Sequence, residues 1–191
     1  AAKFEVCAHK YADLSENGFG VALMNDCKYG YDVRHGTMRL TLLRCPTFPD
    51  PNCDKTRHTF TYSIYAHGDA GAPDTVQAAF SLNNPMRAFA FAGNAKGDLP
   101  EAYSLVSCDN GGVIVETVKQ AEQSDAIVVR MYEALNRRTK ACIRFGFNVC
   151  GASVADLMEN PAEELEVKDD AVEVSLRPFE IVTLLLKTRG E

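Results

Sequence analysis

The chain has 191 residues, 46% hydrophobic and 24% charged, a balance that fits one globular domain of ordinary size or two small ones. Its 26 acidic residues outnumber 20 basic ones, and the net charge of −6 gives no electrostatic pull toward nucleic acid or an anionic membrane. No apolar run is long enough to span a bilayer, and the opening residues do not read as a secretory leader.

Ala1-Ala2-Lys3-Phe4 runs almost directly into strand-like sequence, as expected of a chain whose natural start lies upstream. After the turn signal Asn17-Gly18, apolar Gly20 to Met24 reads as a strand. It leads into a polar and aromatic segment, Asn25-Asp26-Cys27-Lys28-Tyr29-Gly30-Tyr31. Past His35-Gly36, residues Met38, Leu40 and Leu42 share one face of another strand. Arg44 then enters CPTFPDPNCD, where Pro46, Pro49 and Pro51 restrict the backbone and predict an extended, ordered loop. His58 to His67 alternates most clearly: Phe60, Tyr62, Ile64 and Ala66 point one way, Thr59, Thr61, Ser63 and Tyr65 the other. Asp74 to Leu82 breaks that period. Val76, Ala79 and Phe80 fall at helical spacing behind Asp74 as N-cap, which predicts a short helix.

Asn83-Asn84-Pro85 and Asp109-Asn110-Gly111-Gly112 are turn signals, and the polar stretch Ser107 to Gly112 predicts a boundary between residues 1–110 and 111–191. Beyond it, Glu133 to Lys140, with Arg137-Arg138, reads as a hairpin turn. Ala141, Ile143, Phe145, Phe147 and Val149 share a face of one strand. Glu159 to Glu166 reads as a polar connection, and Asn160-Pro161 and Asp169-Asp170 as turns. Val172, Val174 and Leu176 alternate up to Pro178, and Phe179 to Leu186 is apolar enough to be buried on both faces. Short strands at this spacing predict a mainly β chain: an antiparallel β-sandwich, then a small C-terminal β-sandwich, with one short helix.

The seven cysteines, Cys7, Cys27, Cys45, Cys53, Cys108, Cys142 and Cys150, are odd in number and scattered. That pattern argues against a disulfide framework and for reduced thiols in the cytoplasm. Cys45 and Cys53 flank the proline loop, but no C-x-x-C or H-x3-H spacing accompanies them, which makes a metal site there a weak reading. The histidines, His9, His35, His58 and His67, are dispersed as well. There is no P-loop, dinucleotide fingerprint or Ser-His-Asp arrangement.

Several blocks, in order, resemble the C-terminal region of glycoside hydrolase family 38, the α-mannosidases, in particular the cytosolic and bacterial type. They are FEVCAHKYADLSE (Phe4 to Glu16), GVALMNDCKYGYDV (Gly20 to Val33), Met38 to Arg44 with the proline loop, and HTFTYSIYAH (His58 to His67). Asn83-Asn84-Pro85, ETVKQAEQSDAIVVRMYEA (Glu116 to Ala134) and LRPFEIVTLLL (Leu176 to Leu186) follow. The resemblance implies that residues 1–110 are a portion of a galactose-mutarotase-like super-sandwich. It implies a multidomain, zinc-dependent, retaining exo-α-mannosidase as the parent protein. The zinc ligands and catalytic carboxyl groups would lie in an N-terminal α/β barrel, and their motifs are absent from this chain.

The residues agree with that division. Retaining hydrolysis needs two carboxyl groups about 5–5.5 Å apart, and no pair among the 26 acidic residues stands out. The alternating strand–helix units of a barrel are also missing. The chain is therefore expected to be non-catalytic and to hold no metal or cofactor of its own. Its partners would be the barrel of the same polypeptide and, through it, the α-mannoside substrate, with neither nucleic acid nor membrane; homo-oligomer contacts are compatible with this reading. Asn25, Asp26, Lys28, Tyr29, Tyr31 and Arg44 are the candidates for lining the substrate cleft, because amide, carboxylate and ammonium groups bond sugar hydroxyls and a tyrosine ring can stack on a sugar. Alanine at Lys28 or Asn25 is expected to lower turnover with little loss of stability. The competing reading of Asn25 to Tyr31 is a hydrogen-bonded turn with its tyrosines packed between sheets.

Two other functions compete. One is an independent carbohydrate-binding module, against which stand the absence of tryptophan and of an Asp/Asn-rich calcium loop. The other is an assembly or interaction sandwich. A chain that completes a larger protein is expected to carry an exposed apolar patch on its first half.

Overall fold

The computed structural model describes residues 5–68, 73–90, 97 and 100–188, so the opening Ala1 to Phe4 lies outside the described residues. The chain divides into two compact units, Ala1–Ala90 and Phe91–Glu191.

In the first unit, Val6–Cys7 (β1), Gly30–Arg34 (β4) and Thr37–Leu40 (β5) form one antiparallel sheet in the order β1-β4-β5. Tyr11–Glu16 (β2), Phe19–Asn25 (β3) and Tyr62–His67 (β6) form a second, β2-β3-β6. Asn17-Gly18 closes the β2–β3 hairpin with Gly18 at φ 83°, and His35-Gly36 closes β4–β5 at φ 49° and 73°. Two consecutive left-handed residues match the twist of the strands they join, and glycine takes the second at no steric cost. The strand that carries Met38 and Leu40 stops there, and Leu42 lies exposed in the following loop.

Pro73–Asn83 forms the helix α1, starting one residue earlier than the sequence predicted. Asp74 therefore sits in the first turn, where its charge opposes the positive end of the helix dipole. Val76 and Ala79 are buried, and Ala79 packs on Ala22 and Met24 of β3, with Tyr11, Tyr65, Ala78 and Leu82 around them. The helix thus covers one face of β2-β3-β6. On β6 the covered side is that of Ser63, Tyr65 and His67. The opposite side, with Tyr62, Ile64 and Ala66, is exposed. By register, Ile64 stands beside Leu23 and Ala12, and Ala66 beside Val21 and Leu14. The result is an apolar sheet face with Ile64 73% and Tyr62 58% exposed, and Phe19 56% exposed at its end.

Residues 41–61 contain no regular strand or helix and include the cis Phe48–Pro49 bond. The proline loop is folded back on itself rather than extended. The Asn52 amide donates to Asp50 Oδ1 (2.8 Å), the Cys53 amide to the Asp50 carbonyl (3.2 Å), and His58 Nε2 to the Asp54 carbonyl (2.8 Å).

The second unit is a two-sheet sandwich. Val106–Cys108 (β7), Thr139–Phe145 (β10) and Ala171–Leu176 (β13) form a sheet in the order β13-β10-β7. Val113–Gln120 (β8), Ile127–Glu133 (β9), Val149–Ala155 (β11), Pro161–Leu165 (β12) and Ile181–Thr188 (β14) form the other, β12-β11-β14-β9-β8. Its core joins Ile143 and Phe145 of β10 and Val172, Val174 and Leu176 of β13 to Val129 and Met131 of β9 and Leu184 and Leu186 of β14. Of the apolar run Phe179 to Leu186, adjacent Val182, Thr183 and Leu184 are all buried, but Phe179 is 62% and Ile181 56% exposed, so burial on both faces begins only at Val182. Asp169-Asp170 forms the expected turn, at φ 49° and 53°, with Lys168 and Ala171 bonded to each other in both directions.

Four segments differ from the sequence expectation. The run Ala141 to Val149 is two strands, because the chain turns at Gly146: a Cβ there would lie 2.8 Å from Tyr103 Cζ, and the Gly146 carbonyl accepts the Tyr103 hydroxyl. Residues 134–138, with Arg137-Arg138, do not close a hairpin; β9 pairs with β8 and β14, β10 with β7 and β13, so this segment crosses between sheets. Glu159 to Glu166 is not merely a connection, since it contains β12, an edge strand opened by Pro161, a position where the missing N–H is harmless. Part of the turn-rich Ser107 to Gly112 is likewise strand, with Cys108 opposite Ile143.

Candidate functional site

The segment Asn25 to Tyr31 leaves the end of β3 and enters β4. Asn25 is 1% exposed and is its organising residue. Its Oδ1 accepts the Cys27 amide (3.0 Å) and the Lys28 amide, and its Nδ2 donates to the Tyr31 hydroxyl. Its backbone amide donates to the Lys10 carbonyl (2.9 Å), and its carbonyl accepts Asn83 Nδ2 at the end of α1 (3.0 Å). Tyr31 is fully buried, and burial pushes its phenol up despite the Asn25 contact; its hydroxyl also faces the Leu23 carbonyl at 3.3 Å.

These contacts fold the chain so that residues 26–29 point outward. Asp26 and Thr61 exchange two bonds: the Thr61 amide donates to Asp26 Oδ1 (2.9 Å) and the Asp26 amide to the Thr61 carbonyl (3.2 Å). The Thr61 amide, then the Cys27 thiol, hold the Asp26 carboxyl below its usual range, so it is a carboxylate at neutral pH. Lys28 Nζ lies 4.7 Å from the centre of the Phe60 ring, within cation–π reach. Tyr29 is 53% exposed and tilted against the His9 ring at 5.0 Å. The outward surface thus carries one carboxylate, one ammonium and one phenol on a rigid base. That set can hydrogen-bond a polyhydroxylated ligand. It lacks the second carboxyl group that a retaining hydrolysis would need. Asn25 and Tyr31 hold the base from beneath. Arg44 lies exposed in the loop 41–61.

Two buried polar arrangements had no signal in the sequence. Glu133, 0% exposed, accepts amides from Leu135 (2.9 Å), Arg137 (3.3 Å) and Phe179 (3.1 Å). Burial pushes its carboxyl up, but the amides of Phe179, Leu135, Arg137 and Asn136 together outweigh that and hold it below the usual range. In the first unit, His67 Nε2 lies 2.8 Å from Asp13 Oδ1, and Ser15 donates to Asp13 Oδ2 at 2.9 Å. Only a three-dimensional register brings residue 67 beside residue 13, or residue 179 beside residue 133.

Among the described residues no group of three His, Cys, Asp or Glu side chains comes together that could hold a metal ion. A shallow groove of about 840 Å³ in the second unit is lined by polar groups including Ser153, Glu163, Glu164 and Lys187, with no aromatic ring among its described lining residues. All seven cysteines are free thiols, and no helix among the described residues is long and apolar enough to cross a membrane.

Comparison with known proteins gives consistent results. Residues 1–52 match the glycosyl hydrolases family 38 C-terminal domain, and residues 112–184 match the glycosyl hydrolases family 38 C-terminal beta sandwich domain. The chain is 40% identical over 191 residues to alpha-mannosidase 2C1 of Homo sapiens, with 97% of this chain and 18% of that protein covered. It is 37% identical over 192 residues to alpha-mannosidase G of Dictyostelium discoideum, with 95% and 17% covered. The chain thus spans about a fifth of the length of the curated relatives it matches. An alpha-mannosidase from Enterococcus faecalis V583 has the same fold over 98% of this chain and 22% of its own, with a TM-score of 0.78 at 23% identity.

Proposed function

Because the chain belongs to the C-terminal region of glycosyl hydrolase family 38, we propose that it is the non-catalytic end of an α-mannosidase that removes terminal α-D-mannosyl residues, and that it braces the catalytic barrel of that enzyme. The observation that carries this reading is the open apolar face of β2-β3-β6, with Ile64 at its centre. Burying such a face is worth roughly 25 cal/mol per Å², a driving force for packing against further parts of the same polypeptide. On this reading zinc and both catalytic carboxyl groups belong to the barrel. Asp26, Lys28 and Tyr29 reach the rim of its cleft, and the seven free thiols fit a cytoplasmic protein. The aromatic-free groove of the second unit gives no support to an independent sugar-binding module.

The test is Ile64→Arg in two settings. In the isolated chain the exposed position tolerates it, with a stability change within about 0.5 kcal/mol. In the full-length mannosidase the buried charge lowers the yield of folded, active enzyme severalfold. Equal behaviour of variant and parent in the full-length enzyme would remove the bracing role.

A further inference from the structure

The function leaves the proline loop unused, and two of its residues are thiols. Cys45, exposed, opens the loop, and half-buried Cys53 closes it. Eight residues apart in sequence, they stand on the two arms of a loop that folds back on itself. Cys45 Sγ lies 4.0 Å from the carbonyl oxygen of Asp54, the residue bonded to Cys53. That carbonyl is fixed by the His58 ring (2.8 Å) and the Thr56 amide (2.9 Å), and Cys53 is fixed by its amide bond to the Asp50 carbonyl (3.2 Å). Cys45 at φ 48° and Asp54 at φ 58° take left-handed conformations at the two ends of the loop, which turn the chain so that its arms converge. Burial, then the charge of the neighbouring Asp54, push the Cys53 thiol up.

We infer that Cys45 and Cys53 are a reversible thiol pair, a modification site at which a low-molecular-weight disulfide such as oxidised glutathione closes the proline loop with an intrachain bond. The exposed Cys45 attacks first: its thiolate displaces one glutathione thiolate and forms a mixed disulfide. Cys53, as thiolate, then attacks the Cys45 sulfur and expels the second glutathione. The two cysteine protons end on the two glutathiones. Two cysteine thiols are oxidised, and one glutathione disulfide is reduced to two thiols. The pair's position at the end of the segment that follows Arg44 makes it a site where cellular redox poise would stiffen a long exposed loop.

The assay uses the whole chain, equilibrated with glutathione couples of stepped ratio, quenched with an alkylating agent and cut with trypsin. Cleavage after Arg44 and Lys55 puts both cysteines on one peptide, 45–55. The expected product is that peptide lighter by two hydrogens, without alkyl group or glutathione, while the other five cysteines are alkylated. Folded protein is expected to reach half-oxidation at an oxidant ratio about tenfold lower than protein in concentrated urea, because the fold holds the loop ends together rather than leaving closure to chance. Cys53→Ser is expected to trap one glutathione on Cys45. The inference is overturned if peptide 45–55 carries two alkyl groups or two glutathiones, if it is linked to another cysteine, if folded and unfolded chains oxidise at the same ratio, or if Cys53→Ser leaves Cys45 unmodified.

Discussion

Replacing Glu133 by glutamine removes one charge and changes little in shape, yet it should be among the most damaging substitutions in the second unit. The carboxylate is fully buried, with Oε1 accepting the Leu135 amide and Oε2 accepting both Arg137 and Phe179. A glutamine can keep its oxygen toward only one side. With oxygen toward Leu135, its NH2 faces two N–H donors; with oxygen toward the other pair, Leu135 meets the NH2. A buried donor left without an acceptor costs about 1–3 kcal/mol, so one or two such losses amount to roughly 1–6 kcal/mol. Marginal stability makes that a large share of the whole. Phe179 lies inside the turn before β14 while Leu135 and Arg137 lie in the crossing between sheets, so Glu133 clamps two connections at once.

Urea unfolding followed by circular dichroism measures the loss as a drop in midpoint. The pH dependence supplies a second reading. Glu133 is held below the usual carboxyl range in the folded chain, so the stability it confers is fully present above the unfolded value, about 4.3, and is lost as pH falls through the lower folded value. Glu133→Gln should flatten the stability profile across that acidic window. A midpoint equivalent to a change below about 0.5 kcal/mol, with an unaltered acid profile, would refute the account of the buried carboxylate.

Asn25→Ala deprives the Cys27 and Lys28 amides of their acceptor and should cost about 2–4 kcal/mol in the same unfolding assay, so its effect on turnover cannot be separated from folding. Lys28→Ala loses only a contact over Phe60 and should unfold like the parent, while lowering kcat/KM toward an α-mannoside severalfold in the full-length enzyme; unchanged kinetics would take the segment away from the cleft. Gly20→Ala should destabilise by about 1–3 kcal/mol, because the new methyl collides with the buried His67 ring and comes within 2.7 Å of Ser15 Cβ; a parent-like melting curve would contradict it.

Much of this architecture is written in local pattern. The helix over Asp74 to Leu82, the turns at His35-Gly36 and Asp169-Asp170, and the doubly buried run before Leu186 follow from side-chain spacing and from residues that accept positive φ. What period two could not say is which side of a strand another layer covers: β6 alternates as expected, but its tyrosine-and-histidine side meets α1 while Ile64 faces outward. Nor could it distinguish a hairpin from a crossing at residues 134–138, since both need only a short polar link between two strands. At Asn25 to Tyr31 the residue types were legible, but their division was not. Asn25 and Tyr31 form the buried base, and Asp26, Lys28 and Tyr29 the outer surface, because bonds to Lys10, Thr61 and Asn83 come from distant parts of the chain. The deviation of Glu159 to Glu166 from a plain connection has a similar cause, since β11 recruits this polar stretch as a partner.

That recruited strand has a consequence for how the molecule behaves in a crowd. An outermost strand offers unpaired backbone groups to any other chain that drifts alongside, and repeated pairing of that kind builds fibrils. Here β12 starts with a proline that cannot donate, breaks register with β11 near Ala155, and carries the exposed acids Glu163 and Glu164, one toward each face. A second copy pairing along this edge would set carboxylate against carboxylate on both faces of the sheet. At this edge the sheet is thus kept from joining its own kind by a strand chosen for polarity rather than for burial.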